Sequence, residues 1–321
     1  MNWHVLAFGL ALGISYVLTP VVRRLAIALN VMDHPGERRV HTRPIPRWGG
    51  IAVYVAFTLT ILLISQIGGK FYPEIKLDIR MIGIIVAGAL LATAGMIDDM
   101  KELSAAVQAL SIIGATVVLM GFGVSIQLIT NPFGNPPIIW LKWASWPVTI
   151  LWVFILTKSM DLMDGLDGLA AGIGAIASGF LAIMAYYKAQ PAVALMSATL
   201  CGACIGFLRF NFNPAKIFMG TVGSQFIGFT LAAISIVGLF KVAAAFAIAI
   251  PVLVFGVPIF DAFFVVWRRF RERRPVHVAD RTHLHHRLLE KGLTHKQVVL
   301  LIYILCCILG IVALTIILSC R

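Results

Sequence analysis

Charge is scarce in this sequence. Only 12% of its 321 residues are charged, 14 of them acidic, while 60% are hydrophobic. A typical soluble domain is about 25% charged, so a water-soluble enzyme or binding module is excluded. Strand-like alternation of apolar and polar residues is also missing, which excludes a closed membrane barrel and leaves helices as the way to cross lipid. Five cysteines carry no framework spacing, so disulfides do not hold the fold. Cys201 and Cys204 form a C-x-x-C, but inside an apolar run, where they read as packing residues. No internal repeat, low-complexity tract or separate soluble segment is evident.

What the chain has instead is long apolar runs, and a helix needs roughly 20 apolar residues to cross the bilayer core. Ten candidate spans follow: 3–22, 49–66, 80–97, 104–122, 143–158, 168–187, 191–208, 223–240, 242–267 and 298–319. The expected fold is an all-α integral membrane protein of about ten transmembrane helices, with residues 1–321 forming a single polytopic domain. Pro251 and Pro258 predict a kink or break in the 242–267 run. Arg23 and Arg24 follow the first apolar run instead of preceding it, and no cleavage site is evident, so that run reads as a span and not a signal peptide. Their position places the N-terminus outside and the first loop in the cytoplasm. Trp48 and the other aromatics near span ends read as interface anchors.

The two faces are unequal. Alternating spans put loops 23–48, 98–103, 159–167, 209–222 and 268–297 on one side, and with Lys158 at the adjoining span end that side holds nineteen of the 26 lysines and arginines. That bias predicts a cytoplasmic side. The polar motifs gather there too: "DHPGERRVHTRPIPRWGG", "IDDMKELS", "MDLMDGLDGL", "NFNPAKIFMGTVGS" and "DRTHLHHRLLEKGLTHKQ". Their convergence predicts one site at the inner membrane surface.

The chemistry of these loops can be read residue by residue. Asp98 and Asp99 end an apolar run and, as helix neighbours, face different ways. Asp161, Asp164 and Asp167 recur every three residues at the end of another. Clustered carboxylates repel unless a cation sits among them, and an oxygen-only set suits Mg²⁺ or Mn²⁺. Gly165 and Gly168 would end the helix and let a phosphate come close. His283, His285 and His286 lie among Arg281 and Arg287, a mixture that favours an anion over zinc. "NFNPAKIFMGTVGS" reads as a loop feeding a helix at Gly223–Ser224, and helix N-termini favour anions. Asp261 is an acid within an apolar run, functional by default or paired with a nearby arginine. Acids for a metal and cations for phosphates, opening onto a lipid-facing bundle, suit phosphoryl transfer from a soluble donor to a lipid acceptor.

The same five motifs, in this order from about residue 33 to 300, resemble those of the polyprenyl-phosphate N-acetylhexosamine-1-phosphate transferases. The "HLHHRLL" form is more similar to the enzymes using UDP-N-acetylglucosamine than to the muramoyl-pentapeptide branch. The resemblance implies attack of undecaprenyl phosphate on the sugar-linked phosphorus of a UDP-N-acetylhexosamine, with UMP released and Mg²⁺ (or Mn²⁺) as cofactor. The product would begin a cell-envelope glycan such as teichoic acid or O-antigen. The implied location is the inner (plasma) membrane, multi-pass, with the active site facing the cytoplasm. The implied partners are the donor, the lipid phosphate and the bilayer, with no nucleic acid; a homodimer is compatible with the reading.

By the resemblance, Asp98, Asp99, Asp164, Asp167, His283 and His285 are the candidate catalytic residues. Arg38, His41, Lys158, Asn211, Lys216, Arg281, His286 and Arg287 are the candidate substrate-binding residues, and Asp161 and Thr221 the candidate metal ligands. Three positions depart from the family pattern. Thr221 follows "FMG" where the family usually has a metal-binding Asp, Asp161 stands where it has Asn, and Lys158 where Asn is usual. One carboxylate has gone and another has appeared, which suggests a swap in which Asp161 supplies the charge Thr221 lacks. Lys158 would contact phosphate or pair with Asp161. The competing readings are a catalytically silent lipid- or nucleotide-binding relative and an ion-coupled transporter.

Overall fold

The computed structural model describes residues 3–35, 43–130, 138–238, 249–271 and 284–319. It is a helical bundle. In chain order the helices are α1 (Trp3–Ala28), α2 (Gly50–Gly68), α3 (Ile79–Lys101), α4 (Ala105–Gly121), α5 (Ser145–Met163) and α6 (Leu169–Tyr187). They continue with α7 (Pro191–Asn211), α8 (Gly220–Gly238), α9 (Ala249–Val254), α10 (Gly256–Arg271), α11 (Leu284–Glu290) and α12 (His295–Ser319). Among the described residues, eight helices are long and apolar enough to cross a membrane, and α4 is a shorter apolar one. The chain is a multi-pass all-α membrane protein. The expected span at 242–267 is divided in its described part: α9 stops at Val254 and α10 starts at Gly256. Pro258 then sits in the first turn of α10, where its missing N–H is tolerated.

Helix α8 lies at the centre. Every residue from Val222 to Ile236 is buried, as a helix apolar all round requires. It packs chiefly on α3 and α5. Lipid tails are as apolar as leucine, so helices in a membrane associate through close van der Waals fit at small residues. Gly50 of α2 meets Gly223 of α8 so closely that a Cβ on Gly50 would stand 2.1 Å from the Gly223 nitrogen. A Cβ on Gly95 of α3 would lie 2.7 Å from the Val222 backbone. These approaches fix the first turn of α8 beside the end of α3. On the far side α1 lies against α7, where a Cβ on Gly202 would stand 2.2 Å from the Phe8 carbonyl. Cys201 and Cys204 are buried free thiols on α7, the packing role expected of them.

Two short strands, β1 (Met32–Asp33) and β2 (Ile45–Pro46), pair antiparallel before α2. The Phe218 amide donates to the Pro46 carbonyl (2.8 Å), and the amides of Gly49 and Gly50 donate to Phe218 and Met219 (both 2.9 Å). The segment before α2 and the segment before α8 are thereby laced together. Trp48, between them, is 3% exposed and donates its indole N–H to the Met96 carbonyl. It is a core residue and not an interface anchor, because this lacing turns it inward. A second pair of strands, β3 (Leu128–Thr130) and β4 (Ile138–Trp140), precedes α5.

Candidate functional site

The polar motifs converge, as their distribution in the sequence predicts. The C-terminal ends of α3, α5 and α7, the loop before α6, the N-terminal ends of α8 and α12, and residues of α1 and α11 meet the 43–47 segment around one cavity of about 790 Å³. Of the predicted residues, Asp99, Asp161, Asp164, Asp167, Asn211, Lys216, Thr221 and His286 line it. Arg38, His41, Arg281 and His283 lie outside the described residues.

The acids divide by what they already hold. Asp98 is behind the wall: one oxygen accepts from the Leu103 amide and from Gln108 Nε2 (2.9 and 2.8 Å), the other from Thr221 Oγ (2.7 Å). Asp161 accepts from Ser224 Oγ at 2.9 Å and from Lys158 Nζ at 2.6 Å. Asp167 accepts from Asn213 Nδ2 and the Ala215 amide (2.9 and 3.0 Å), which pins the loop before α8. Asp99 spends only one oxygen on hydrogen bonding, accepting from the Thr221 amide at 3.0 Å with Arg47 3.8 Å away. Its Oδ2 is buried and has no hydrogen-bond partner among the described residues. No hydrogen bond to the Asp164 carboxylate occurs among the described residues. Burial pushes the pKa of that group well above the usual carboxylate range; Asp161, Asp99 and Asp167 add to the shift and Arg47 opposes it.

Local structure explains these placements. Asp98 and Asp99 lie at the C-terminal end of α3, where the helix dipole disfavours each acid by about 0.3–1 kcal/mol. The N-terminal turn of α8 answers them: Thr221 gives its amide to one and its hydroxyl to the other. Gly220 makes the arrangement possible, since its φ is +72° and a Cβ there would stand 2.3 Å from Asp99 Oδ2. Helix α8 thus begins at Gly220, one turn before the expected Gly223–Ser224. Asp164 is the residue on which α5 ends. Asn211 is buried and pins two loops, accepting from the Gly168 amide and donating to the Ile217 carbonyl (both 3.0 Å).

Gly165 lines the cavity and also makes room for a ring, because a Cβ there would lie 2.5 Å from His285 Nε2. His285 is buried beside His286, their ring centroids 4.3 Å apart, and only His286 reaches the cavity wall. Arg287 turns away and covers the Phe264 ring at 5.3 Å. Asp261 answers its own question: it accepts from the Leu284 amide at 2.7 Å, at the start of the histidine-bearing helix α11. Asp261→Ala should cost about 1 kcal/mol of local stability. We expect faster amide hydrogen exchange in α11 of this variant, with the global melting temperature in detergent little changed.

Several cavity residues were not singled out in the sequence. Arg47 bridges Asp33 and Asp99. Arg23 reaches in from α1, donating to the Lys216 carbonyl at 3.0 Å, and Arg43 and His295 complete the wall. The excess of arginine in the first loop was the available signal for Arg23, Arg43 and Arg47. His295 lies at the end of the last quoted motif, but its type and spacing there did not single it out; its buried Nε2 has no hydrogen-bond partner among the described residues.

A divalent ion fits this donor set. The candidate ligands are hard oxygens, Asp99 Oδ2 and the Asp164 carboxylate have capacity to spare, and hydroxyls stand close by on α8. Among the described residues no group of three or more Asp, Glu, His or Cys side chains is placed to hold a metal ion, so at most two carboxylates would do so. Mg²⁺ commonly takes only one or two carboxylates and fills its shell with water and substrate phosphate.

The family model described as glycosyl transferase family 4 matches residues 81–239, from α3 to α8. A probable undecaprenyl-phosphate N-acetylglucosaminyl 1-phosphate transferase of Bacillus subtilis is 36% identical over 310 residues, 97% of this chain and 84% of that protein. The decaprenyl-phosphate N-acetylglucosaminephosphotransferase of Mycobacterium tuberculosis is 37% identical over 318 residues, 91% of this chain and 77% of that one. A phospho-N-acetylmuramoyl-pentapeptide-transferase of Halalkalibacterium halodurans is 31% identical over 244 residues, 72% of this chain and 73% of that protein. At 36–37% identity over more than nine-tenths of its length, the chain belongs to glycosyl transferase family 4, among the polyprenyl-phosphate N-acetylglucosaminyl-1-phosphate transferases.

Proposed function

We propose that the protein transfers N-acetylglucosamine 1-phosphate, or a closely related N-acetylhexosamine 1-phosphate, from its UDP-sugar to undecaprenyl phosphate on the cytoplasmic face of the plasma membrane. One observation carries the reading. Five carboxylates and four cations (Arg23, Arg43, Arg47 and Lys216) line one cavity at one end of the bundle, and the Asp164 side chain is left without a hydrogen bond among the described residues. That is a surface built for a bound cation and a diphosphate together.

In this reading an oxygen of the lipid phosphate forms a bond to the sugar-linked phosphorus, and the bond from that phosphorus to the bridging oxygen breaks. UMP leaves with the electron pair. Mg²⁺, when bound through Asp99 and Asp164, would offset the diphosphate charge. Arg23, Arg43, Arg47 and Lys216 hold phosphate oxygens by charge-assisted hydrogen bonds and keep the reacting groups in place. His286 and His295 face the same space and add donors there. Asp98, Asp167 and Asn211 hold the three loops in register, so the donors need not reorganise as charge develops.

Purified protein in detergent, given undecaprenyl phosphate, Mg²⁺ and each of several UDP-sugars, should release UMP, and chelation should stop it. No UMP from any UDP-sugar would refute the reading. The proposed swap can be tested in the same assay. Ser224, three residues beyond Thr221 on α8, holds Asp161, so the two departures from the family pattern meet on one helical turn. Asp161→Asn should lower UMP release by about two orders of magnitude, and Thr221→Asp in that background should recover most of it. Full activity of Asp161→Asn alone would end the swap.

A further inference from the structure

Lys158 is not on the cavity wall, yet it touches the group that is. Its Nζ donates to Asp161 Oδ2 and to Gln108 Oε1, each at 2.6 Å. Gln108 Nε2 donates to Asp98 Oδ1 at 2.8 Å, and Asp98 Oδ2 accepts from Thr221 Oγ at 2.7 Å. Three residues along α8, Ser224 Oγ donates back to Asp161 Oδ1 at 2.9 Å. The result is a run of hydrogen bonds through α3, α4, α5 and α8, closed into a ring by the α8 backbone between Thr221 and Ser224, with one ammonium in it.

That ammonium and any divalent ion in the cavity compete for the same carboxylate. Asp161 shares the wall with Asp99, Asp164 and Asp167, so without Lys158 the wall would carry one more unit of uncompensated negative charge. The pair is partly buried, with side chains 26% and 15% exposed, so its charges are only partly screened by water. We propose that Lys158 is an internal counter-ion to Asp161 that lowers the affinity of the cavity for its divalent cation. Lys158 is a positioning residue here: it acts through Asp161 and touches neither substrate. The inference rests on the proposed metal-assisted transfer but is read by a separate experiment.

The experiment is a charge cycle measured by Mn²⁺ binding, with free Mn²⁺ followed by electron paramagnetic resonance and no substrate present. Lys158→Met, and Lys158→Gln as a polar alternative, should bind Mn²⁺ about tenfold more tightly than the wild type. Asp161→Asn leaves the ammonium uncompensated and should bind about tenfold more weakly. Lys158→Met with Asp161→Asn restores the net charge and should return to within about threefold of the wild type. Lys158→Arg keeps the charge and should keep the wild-type affinity. A purely structural ring would move all the ring-breaking variants in one direction. Equal or weaker Mn²⁺ binding by both neutral Lys158 variants, or no Mn²⁺ binding by any variant, would overturn the proposal. If the affinities shift as described while no UDP-sugar yields UMP, the counter-ion stands and the transfer reading falls. The reverse pattern would spare the transfer reading.

Discussion

Asp164→Asn should reduce UMP release by about three orders of magnitude while the protein keeps its melting temperature. Among the cavity acids Asp164 stands apart. Asp161 and Asp167 are held by protein hydrogen bonds, and Asp98 behind the wall is held by three. The Asp164 carboxylate accepts none among the described residues, and burial, with three neighbouring acids adding to it, pushes its pKa up. A carboxylate in that position is a net burden to the empty fold and an asset once a cation arrives. The amide of asparagine keeps the shape and removes the charge. Asp167→Asn makes the informative contrast: its Oδ2 fastens Asn213 and the Ala215 amide, so that variant should lose stability as well as activity. Equal activity of Asp164→Asn and the wild type would mean that the cation, if one binds, is held elsewhere.

The second large effect is on the fold. Gly50→Ala should destabilise the protein by about 3 kcal/mol or more, read as a loss of the monodisperse peak in detergent and a lower melting temperature. The new Cβ would stand 2.1 Å from the Gly223 nitrogen and 2.2 Å from its Cα. Both obstacles are backbone, so no side chain can rotate away. Helices α2 and α8 would have to separate, taking with them the bonds from Gly49 and Gly50 to Phe218 and Met219. Since α8 also presents Thr221 to Asp98 and Asp99, activity should fall with stability. Gly114→Ala is the matched control: nothing lies within 4 Å of a Cβ there, and that helix should tolerate or gain from it.

Much of this architecture was legible in the sequence, because lipid reduces the options to apolar helices and makes misplaced charges conspicuous. The divided span near Phe255 followed from two prolines. Eight of the predicted site residues share one cavity because spans that alternate in direction return every second loop to the same end. What stayed hidden depended on contacts between distant segments. Arg47 looked like one cation among several until the β1–β2 pair set it between Asp33 and Asp99. Trp48 looked like an interface aromatic until the segment beside it was laced to residues 218–219. For Lys158 both partners, phosphate or Asp161, were open, and only geometry chose the carboxylate. His295 lay inside a quoted motif but did not stand out in it, because a histidine opening a helix is unremarkable until the cavity beside it is known.

The central claim is that cation, diphosphate and lipid phosphate meet in the cavity beside Asp99 and Asp164. Crystals soaked with Mn²⁺ and a UDP-sugar, measured for anomalous scattering at the manganese edge, test it most directly. The account predicts a manganese peak bonded to Asp99 Oδ2 and the Asp164 carboxylate, with the diphosphate against Arg47. A manganese and nucleotide found together at any other place on the protein would contradict it.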